Sequence, residues 1–280
     1  MTTLVHRRRS AAALYGALTL ASLVWMVPML TAVAISVLPL SDSRHGWWRL
    51  DLSDLTLRNY SRAWKAGLED QVLNSFIISL GAVALTVAAG ALASYAFAHL
   101  RFRGRRVIQL LLITTMIVPL QIILIPLLPW FQTLGLNQGA LQLFGIVLVH
   151  TAFGAGWAVF MLTAFFSDIP DELLDAARVD GAGHFTVFRK IVLPLALPGI
   201  VSFAIIDFVF VWNDLLLALT LLGKDYRPLT VGLANLQSPH LAQQDIVAAG
   251  SVLAILPPLA LFALLNRYYV RGLFAGGLKG

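Results

Sequence analysis

Two carboxylates stand inside an otherwise apolar segment and are the first candidates for chemistry in this chain. Asp207 and Asp214 are seven residues apart, a spacing that places both on one face if the segment is helical. Charged side chains are costly in an apolar layer, so such groups face protein or water. They then act as proton relays, as contacts to a polar substrate or as members of a buried pair. For Asp207 we favour the buried pair.

The second aspartate ends the run Trp212-Asn213-Asp214, which combines groups that bind carbohydrate. An aromatic face stacks on the C–H surface of a sugar ring, while amides and carboxylates pair with its hydroxyls. A sugar contact and a structural role are equally compatible with this run. For His150, which lies in another apolar segment, we favour an interhelical hydrogen bond over a substrate contact.

Polar residues in two further apolar segments are candidates to line a pathway for a solute, together with the residues named above. Asn74 opens a segment rich in Gly and Ala, whose small side chains let helices approach closely in lipid. Gln121 lies among Pro119, Pro126 and Pro129. Prolines kink membrane helices and free carbonyls that protein or cavity water must satisfy. The predicted pathway residues are Asn74, Gln121, Asp207, Trp212, Asn213 and Asp214.

No catalytic or cofactor-binding motif accompanies these residues. The pair Gly223-Lys224 is followed by Asp225 and lacks the upstream glycine of a phosphate-binding loop. The sequence contains no His-Glu-x-x-His motif, no Gly-x-Ser-x-Gly motif, no clustered metal ligands and no cysteine. We therefore predict a non-enzymatic chain that binds no cofactor or metal. Because the chain has no phosphate-binding loop, any energy that drives its activity must come from a partner or an ion gradient.

The elements that must position these residues are membrane-spanning helices. Of the 280 residues, 59% are hydrophobic and only 12% are charged, whereas about 25% of residues are charged in a typical soluble domain. A helix needs about 20 apolar residues to cross a bilayer. Runs of this length predict an all-α integral membrane protein with six transmembrane helices. The runs lie at residues 11–38, 73–98, 107–130, 141–166, 195–222 and 246–266.

Lysine and arginine predict the orientation, because they are enriched in cytoplasmic loops. Thirteen of the 20 basic residues fall on the side that holds both termini, and seven fall on the other side. This asymmetry predicts cytoplasmic termini and accounts for the net charge of +6 without a nucleic-acid partner. The first apolar run follows Arg7-Arg8-Arg9. Its length and the lack of a clear cleavage site favour an uncleaved helix over a signal peptide.

The longest charged segment, residues 168–198, falls on the cytoplasmic side, and we call it the elbow. Pro170 favours the start of a helix, and Asp171 and Glu172 complement its positive end. Gly181 can take the left-handed conformation that ends a helix. A second helix from about residue 183 to 191 is expected to stop before Pro194. The predicted apolar side comprises Leu174, Ala177, Phe185 and Phe188. Such a two-sided element is expected to dock against a cytoplasmic partner.

The spacing within the elbow resembles the EAA loop of ABC-importer permeases. Asp175-Ala176-Ala177, three residues, Gly181, nine residues and then Ile191-Val192-Leu193-Pro194 follow that pattern, with Asp175 in place of the usual Glu. The resemblance implies that residues 171–191 form a coupling helix region seated in a groove of an ATPase. The implied coupling residues are Asp171, Glu172, Leu174, Asp175, Ala176, Ala177, Asp180, Gly181, Ala182, His184, Phe185, Leu193 and Pro194.

Similarity to one branch of the family extends from about residue 59 to 280. It is carried by Asn74-Ser75, residues 93–106 and 119–126, Trp212-Asn213-Asp214 and the tail at 269–280. These segments resemble carbohydrate importer permeases of the maltose-transporter type, and within them the second, MalG-like subunit. The resemblance implies the type I ABC importer transmembrane fold in a bacterial cytoplasmic (inner) membrane.

The same resemblance implies a set of partners. These are a second homologous, MalF-like permease subunit, two copies of an ABC ATPase subunit that uses ATP and Mg²⁺, an extracytoplasmic sugar-binding protein and the lipid bilayer. The ATPase would hydrolyse ATP, and this chain would bind no cofactor of its own.

These observations predict a permease subunit that moves a di- or oligosaccharide across the membrane by alternating access. Glycerol phosphate or polyol uptake by the same machinery stays open, although the six spans contain no Lys or Arg to bind an anion. The alternative from another class is a proton-coupled secondary transporter that uses Asp207 or Asp214. The predicted parts are a helix and outer loop at 1–72, a permease core at 73–268 and a cytoplasmic tail at 269–280.

Overall fold

The computed structural model describes residues 2–39, 52–236 and 243–277, and every regular element within these ranges is helical. The predicted all-α class is therefore confirmed. The predicted outer loop at 39–72 and the predicted tail at 269–280 lie partly outside the described residues.

The helices follow one another along the described chain with short connections. They are α1 (Thr2–Ser36), α2 (Arg58–Ala63), α3 (Glu69–His99), α4 (Arg105–Thr115), α5 (Leu120–Thr133), α6 (Leu141–Ser167), α7 (Asp171–Val179), α8 (His184–Leu195), α9 (Leu197–Trp212), α10 (Leu216–Leu221), α11 (Leu229–Leu236) and α12 (Gln244–Gly277). A π-helical turn at Trp64–Leu68 joins α2 to α3, and Gly67 bends the chain there with a φ of +106°.

Four helical stretches within the described residues are long and apolar enough to cross a membrane. They are Ala13–Ser36, Arg58–His99, Leu141–Ser167 and Gln244–Tyr268. Two bent helix pairs bring the number to six if each pair is one span. The boundaries predicted from hydropathy for α3 and α6 agree with the structure to within four residues.

The two remaining predicted spans are each divided into two helices. The span predicted at 107–130 consists of α4 and α5, which meet at 98°. Pro119 causes this break, because it has no N–H to donate and takes an extended conformation before α5. The span predicted at 195–222 starts at a bend and contains α9 and α10. There α8 and α9 meet at 74° beside Ala196, and α9 ends at Trp212.

The internal contacts divide the chain into two compact units. The first unit consists of residues 1–68 and 233–255. Within it, the Asn59 side-chain amide donates to the carbonyl oxygens of Ser36 (3.0 Å) and Leu38 (2.7 Å) and so ties α2 to the end of α1. Because Asn59 is buried, these bonds satisfy a group that would otherwise destabilise the unit.

A second tie in this unit joins α2 to the start of α12. Arg62 Nη1 lies 3.0 Å from Asp245 Oδ2, and Arg62 also donates to the side chain of Gln243. The Asp245 side chain is fully buried, so the guanidinium supplies the counter-charge that a buried carboxylate needs.

The second unit consists of residues 69–232 and 256–280 and contains α3, α6 and α9. α3 packs along α6 over most of its length, and α9 packs against both. Gly90 allows the closest approach, because any Cβ there would collide with the Cβ of Ala158. Small residues at such crossings let membrane helices pack by van der Waals contact, as predicted for the Gly- and Ala-rich α3.

Two apolar cores lie toward opposite ends of α3 and α6. The first, which we call the elbow core, includes Tyr95, Leu162 and Phe203. The second includes Ile78, Ile146 and Val211. Between them the same three helices carry polar or small residues at Thr86, Gly154 and Asp207. The middle of the helix bundle is therefore not a continuous apolar core.

Candidate functional site

The first candidate site is the elbow, whose first helix is α7. Pro170 occupies its N-cap position, and Asp171 and Glu172 lie in its first turn, where they complement the helix dipole. After Asp180, Gly181 has a φ of +86°, a conformation that strongly favours glycine. The Ala182 N–H then donates to the Ala177 carbonyl at 2.9 Å and closes the turn. The left-handed conformation predicted for Gly181 is confirmed.

The second helix of the elbow continues further than the sequence suggested. α8 begins at His184, widens into a π-helical segment at Phe188–Val192 and runs through Pro194 to Leu195. The prediction that it stops before Pro194 was wrong. The π-helical segment shifts the hydrogen-bond register ahead of the proline, so the missing N–H of Pro194 breaks no regular α-helical bond.

One side of the elbow is anchored in the elbow core. Leu174 and Val187 are fully buried, and Phe188 packs against Tyr95 with ring centroids 5.3 Å apart. Polar contacts add to this anchorage at the end of α3. The Tyr95 hydroxyl lies 3.4 Å from His184 Nδ1. These contacts fix the elbow to the helices that carry the middle of the bundle.

The opposite side of the elbow is exposed and mixes apolar and charged groups. Phe185 was predicted to lie on the apolar side with Leu174, but it is 68% exposed, although its ring lies 6.3 Å from the ring of the buried Phe188. Asp175 is also exposed, and its Oδ1 accepts a 2.8 Å hydrogen bond from Arg178 Nη1. Sequence reasoning missed Val179, which is 87% exposed. The one feature in the sequence that could have indicated this exposed residue is its position directly before Asp180, at the end of a helix with many charged residues.

The predicted coupling residues therefore divide into three groups by exposure. Leu174 is buried, and Ala177, Ala182 and Leu193 are partly buried. The exposed group comprises Asp171, Glu172, Asp175, Ala176, Asp180, Gly181, His184, Phe185 and Pro194. An element with one buried and one exposed side can transmit movement from a partner to the helices beneath it.

The second candidate site is a cavity of about 340 Å³ in the middle of the second unit. The break between α4 and α5 forms one wall, and α6 and α9 form the others. The lining residues include Thr115, Met116, His150, Phe153, Gly154, Trp157, Phe203, Asp207 and Phe210. We call this space the central cavity.

Asp207 lines the central cavity, whereas the sequence favoured a buried pair for it. Its residue is only 5% exposed, and its Oδ2 has no hydrogen-bond partner among the described residues. A Cβ on Gly154 would lie 3.2 Å from Asp207 Oδ1 and 2.8 Å from Thr86 Cγ2. The glycine therefore makes room for both polar side chains at the point where α3, α6 and α9 meet.

The second aspartate has a different environment, and the prediction that both share one helical face was wrong. α9 ends before Asp214, whose two carboxylate oxygens accept hydrogen bonds from the N–H groups of Leu217 (3.2 Å) and Ala218 (3.0 Å). Asp214 thus holds the start of α10. Its Oδ2 also lies 3.7 Å from Nε2 of the buried His150, whose ring lines the central cavity.

The other predicted pathway residues are placed mostly in packing and turn contacts. Trp212 is 2% exposed and packs against Phe76 and Phe208, with ring centroids 5.0 and 5.4 Å away. The Asn213 amide donates to the Val209 carbonyl at 2.7 Å. Neither residue lines the central cavity.

Two pathway residues lie further from the cavity. The buried Asn74 amide donates to the carbonyl oxygens of Asp225 (3.0 Å) and Arg227 (3.2 Å) and holds that loop in place. Gln121 is exposed in the first turn of α5. The structure therefore brings Asp207 into the central cavity and leaves the other five predicted residues outside its lining.

Sequence reasoning missed the aromatic wall of the central cavity. Trp157 is 51% exposed and Phe210 is 63% exposed, and both line this space with Phe153. One signal was available. Tryptophan in membrane proteins is enriched at the interfaces, whereas Trp157 lies well inside the predicted span 141–166.

Comparison with known proteins places this architecture among transport proteins. Residues 86–274 match the family described as the binding-protein-dependent transport system inner membrane component. The osmoprotective compounds uptake permease protein GgtD of Synechocystis sp. is 37% identical, over 91% of this chain and 88% of its own length. The alpha-glucoside transport system permease protein AglG of Rhizobium meliloti is 40% identical, over 80% of this chain and 60% of its own length.

Solved structures agree on the fold. A chain in the crystal structure of a bacterial ABC transporter involved in the import of the acidic polysaccharide alginate superposes with a TM-score of 0.78. It is 22% identical, and the match covers 94% of this chain and 97% of that one. At this identity the similarity describes the architecture alone.

Proposed function

The chain belongs to the family of binding-protein-dependent transport system inner membrane components, and from this premise we propose that it is the permease subunit of an ATP-driven importer for a neutral di- or oligosaccharide. In this proposal the chain spans the bacterial inner membrane six times with both termini in the cytoplasm. The bent pair of α4 and α5 then counts as one span, and α9 with α10 counts as another, since α8 belongs to the elbow.

The single observation that carries the proposal is the two-sided elbow. Leu174 and Val187 hold it in the elbow core, while Val179 and Phe185 expose large apolar side chains. Exposed apolar groups beside charges are typical of a surface that a protein partner covers. The basic residues that place this surface in the cytoplasm support an ATPase as that partner.

The mechanism follows from how the elbow is attached. ATP-driven closure of two ATPase subunits would move the elbow as a rigid body, because its buried side is packed against α3, α6 and α9. These helices line or support the central cavity. Their movement against a second homologous permease subunit would open the cavity alternately to the two sides of the membrane.

A neutral sugar is the substrate class that the cavity supports. Among the described residues that line it, none is Lys or Arg, so an acidic sugar or glycerol phosphate would find no cationic partner there. Aromatic rings and a carboxyl are instead the groups that bind uncharged sugars. The name of one relative, an alpha-glucoside permease, agrees with this class.

Purification and reconstitution test the proposed function directly. The tagged chain, extracted from its native membrane in mild detergent, is expected to co-purify with a sister permease and an ATPase. In proteoliposomes with the binding protein, uptake of labelled trehalose, melibiose or raffinose is expected to require ATP. Uptake by the chain alone that follows an imposed pH gradient would instead establish a secondary transporter. Preference for glycerol phosphate would contradict the neutral substrate.

Charge reversal on the exposed side of the elbow should weaken coupling. Asp175→Lys removes the carboxylate that pairs with Arg178 and places two positive side chains one turn apart. We expect ATP-driven uptake to fall about tenfold, on the order of 1.4 kcal/mol of coupling, while ATP hydrolysis continues. The matched control is Asp225→Lys, another exposed acid, outside the elbow. Equal uptake by both variants would argue against a docking role for Asp175.

A further inference from the structure

The central cavity contains a carboxyl group, that of Asp207, one of whose oxygens lacks a hydrogen bond in the part of the chain that the structure describes. It lies between the two apolar cores. Asp207 Oδ2 has no hydrogen-bond partner among the described residues, although its residue is 95% buried. Both ring nitrogens of His150, on the wall of the same cavity, also lack hydrogen bonds within the described chain. Buried polar atoms without partners are rare, because each one costs free energy until a ligand or water satisfies it.

The lining of the same cavity also includes exposed aromatic side chains. Trp157 on α6 and Phe210 on α9 are each more than half exposed in this chain, and both rings line the cavity that contains Asp207. This pairing of a carboxyl with exposed ring faces differs from the surroundings of Trp212, whose ring is packed between other aromatic side chains. A sugar ring presents hydroxyls at its edge and C–H groups on its faces, and it fits such a pair.

The volume of the cavity limits the size of the ligand. The cavity, at about 340 Å³, is at the lower end of the range of roughly 300–1,000 Å³ usual for small-molecule sites. Part of an oligosaccharide therefore fits, and not a long chain. No group of three or more His, Cys, Asp or Glu residues that could hold a metal ion occurs in the described part of the chain.

We propose that this subunit itself carries a saccharide subsite, in which the Asp207 carboxyl accepts a hydrogen bond from one sugar hydroxyl while Trp157 stacks on the ring. The inference rests on the proposed function and adds to it a residue that recognises one hydroxyl group of the substrate. Gly154 is part of the subsite, because it leaves the space in which Thr86 and Asp207 approach each other.

The test pairs variants with substrate analogues, so that a structural defect cannot imitate the result. Uptake is measured in the reconstituted complex at saturating binding protein, using the best-transported sugar among trehalose, melibiose and raffinose together with its mono-deoxy derivatives. In the unmodified protein, one deoxy derivative is expected to be transported about tenfold more slowly than the parent sugar, because it leaves the Asp207 carboxyl unpaired. In Asp207→Ala that ratio is expected to fall to about one.

A second variant and a control guard against misfolding. Trp157→Ala is expected to slow uptake of every sugar about tenfold without changing the ratios among the deoxy derivatives, because stacking is not specific to one hydroxyl. Phe160→Ala is the matched control, since Phe160 lies on the same helix, is 54% exposed and does not line the cavity. It should behave like the unmodified protein.

The outcomes separate this inference from the proposed function. In one outcome the complex transports a sugar, Asp207→Ala still transports the deoxy derivative about tenfold more slowly than the parent sugar, and Trp157→Ala transports as well as Phe160→Ala. The subsite is then absent from this subunit, and the proposed importer function stands. If the complex transports none of the saccharides, the proposed function fails, and the subsite fails with it. Loss of the deoxy penalty in Asp207→Ala alone would establish the subsite.

Discussion

Replacing Gly181 with valine is expected to abolish most ATP-driven uptake while leaving ATP hydrolysis active. Gly181 has a φ of +86°, which costs a β-branched residue about 1–3 kcal/mol. The turn between α7 and α8 must therefore rearrange, and the exposed side of the elbow changes shape. We expect at least a tenfold drop in sugar uptake in proteoliposomes, measured together with the ATPase rate.

Gly183 provides the control for this variant within the same turn. Its φ is −73°, and a Cβ at this position would meet no atom within 4 Å. Valine is therefore compatible with its backbone, and Gly183→Val should retain most of the uptake. Similar uptake by the two variants would show that the left-handed turn is not needed for coupling. Loss of the protein from the membrane in Gly181→Val alone would indicate a folding defect instead.

The second large effect is expected from Leu174→Ala, which removes the main apolar anchor of α7. Leu174 is fully buried in the elbow core, and truncation of such a leucine costs about 2–5 kcal/mol. We expect the elbow to detach from the helices beneath it. The purified complex should then lose its ATPase subunits and unfold at a lower temperature, measured by co-purification and by thermal denaturation in detergent.

The neighbouring residue separates anchorage from surface contact. Leu173 lies on the same helix and is 48% exposed, so Leu173→Ala leaves the elbow core intact. Its thermal stability should match that of the unmodified complex. If Leu174→Ala were equally stable and kept its ATPase, the elbow would not depend on its buried side, and movement would have to reach the cavity by another route.

Hydropathy predicted the long helices well because their apolar content is continuous. It placed spans at 73–98 and 141–166, where α3 and α6 lie. Hydropathy alone did not predict that the spans at 107–130 and 195–222 are broken, although the prolines of the first span predicted a kink there. Averaged hydropathy is the same for a straight and a bent segment, and the outcome depends on which neighbours satisfy the freed carbonyl groups.

The same distinction holds for the candidate sites. The turn of the elbow could be predicted, since Gly181 acts through its own backbone conformation, but the end of α8 and the exposure of Phe185 could not. Asp207 stood out because a carboxyl is rare in an apolar span. The aromatic wall did not, because Trp157 and Phe210 look the same in sequence whether they face lipid, protein or a cavity. Trp212, which looked more suitable beside Asn213 and Asp214, is enclosed by other rings.

The bend of 74° between α8 and α9 also has a consequence for the affinity of the proposed subsite for a sugar. α9 starts at Leu197 beside the bend, and Asp207 lies ten residues further, about 15 Å along the helix axis. A tilt of about 10° at the bend would therefore shift the Asp207 carboxyl by about 3 Å, roughly the length of a hydrogen bond. The helix then acts as a lever arm that amplifies a small rotation of the elbow. If the proposed subsite holds the sugar, this movement would change how tightly the sugar is bound as well as which side of the membrane it can reach. Weakened binding would then drive release of the sugar into the cell.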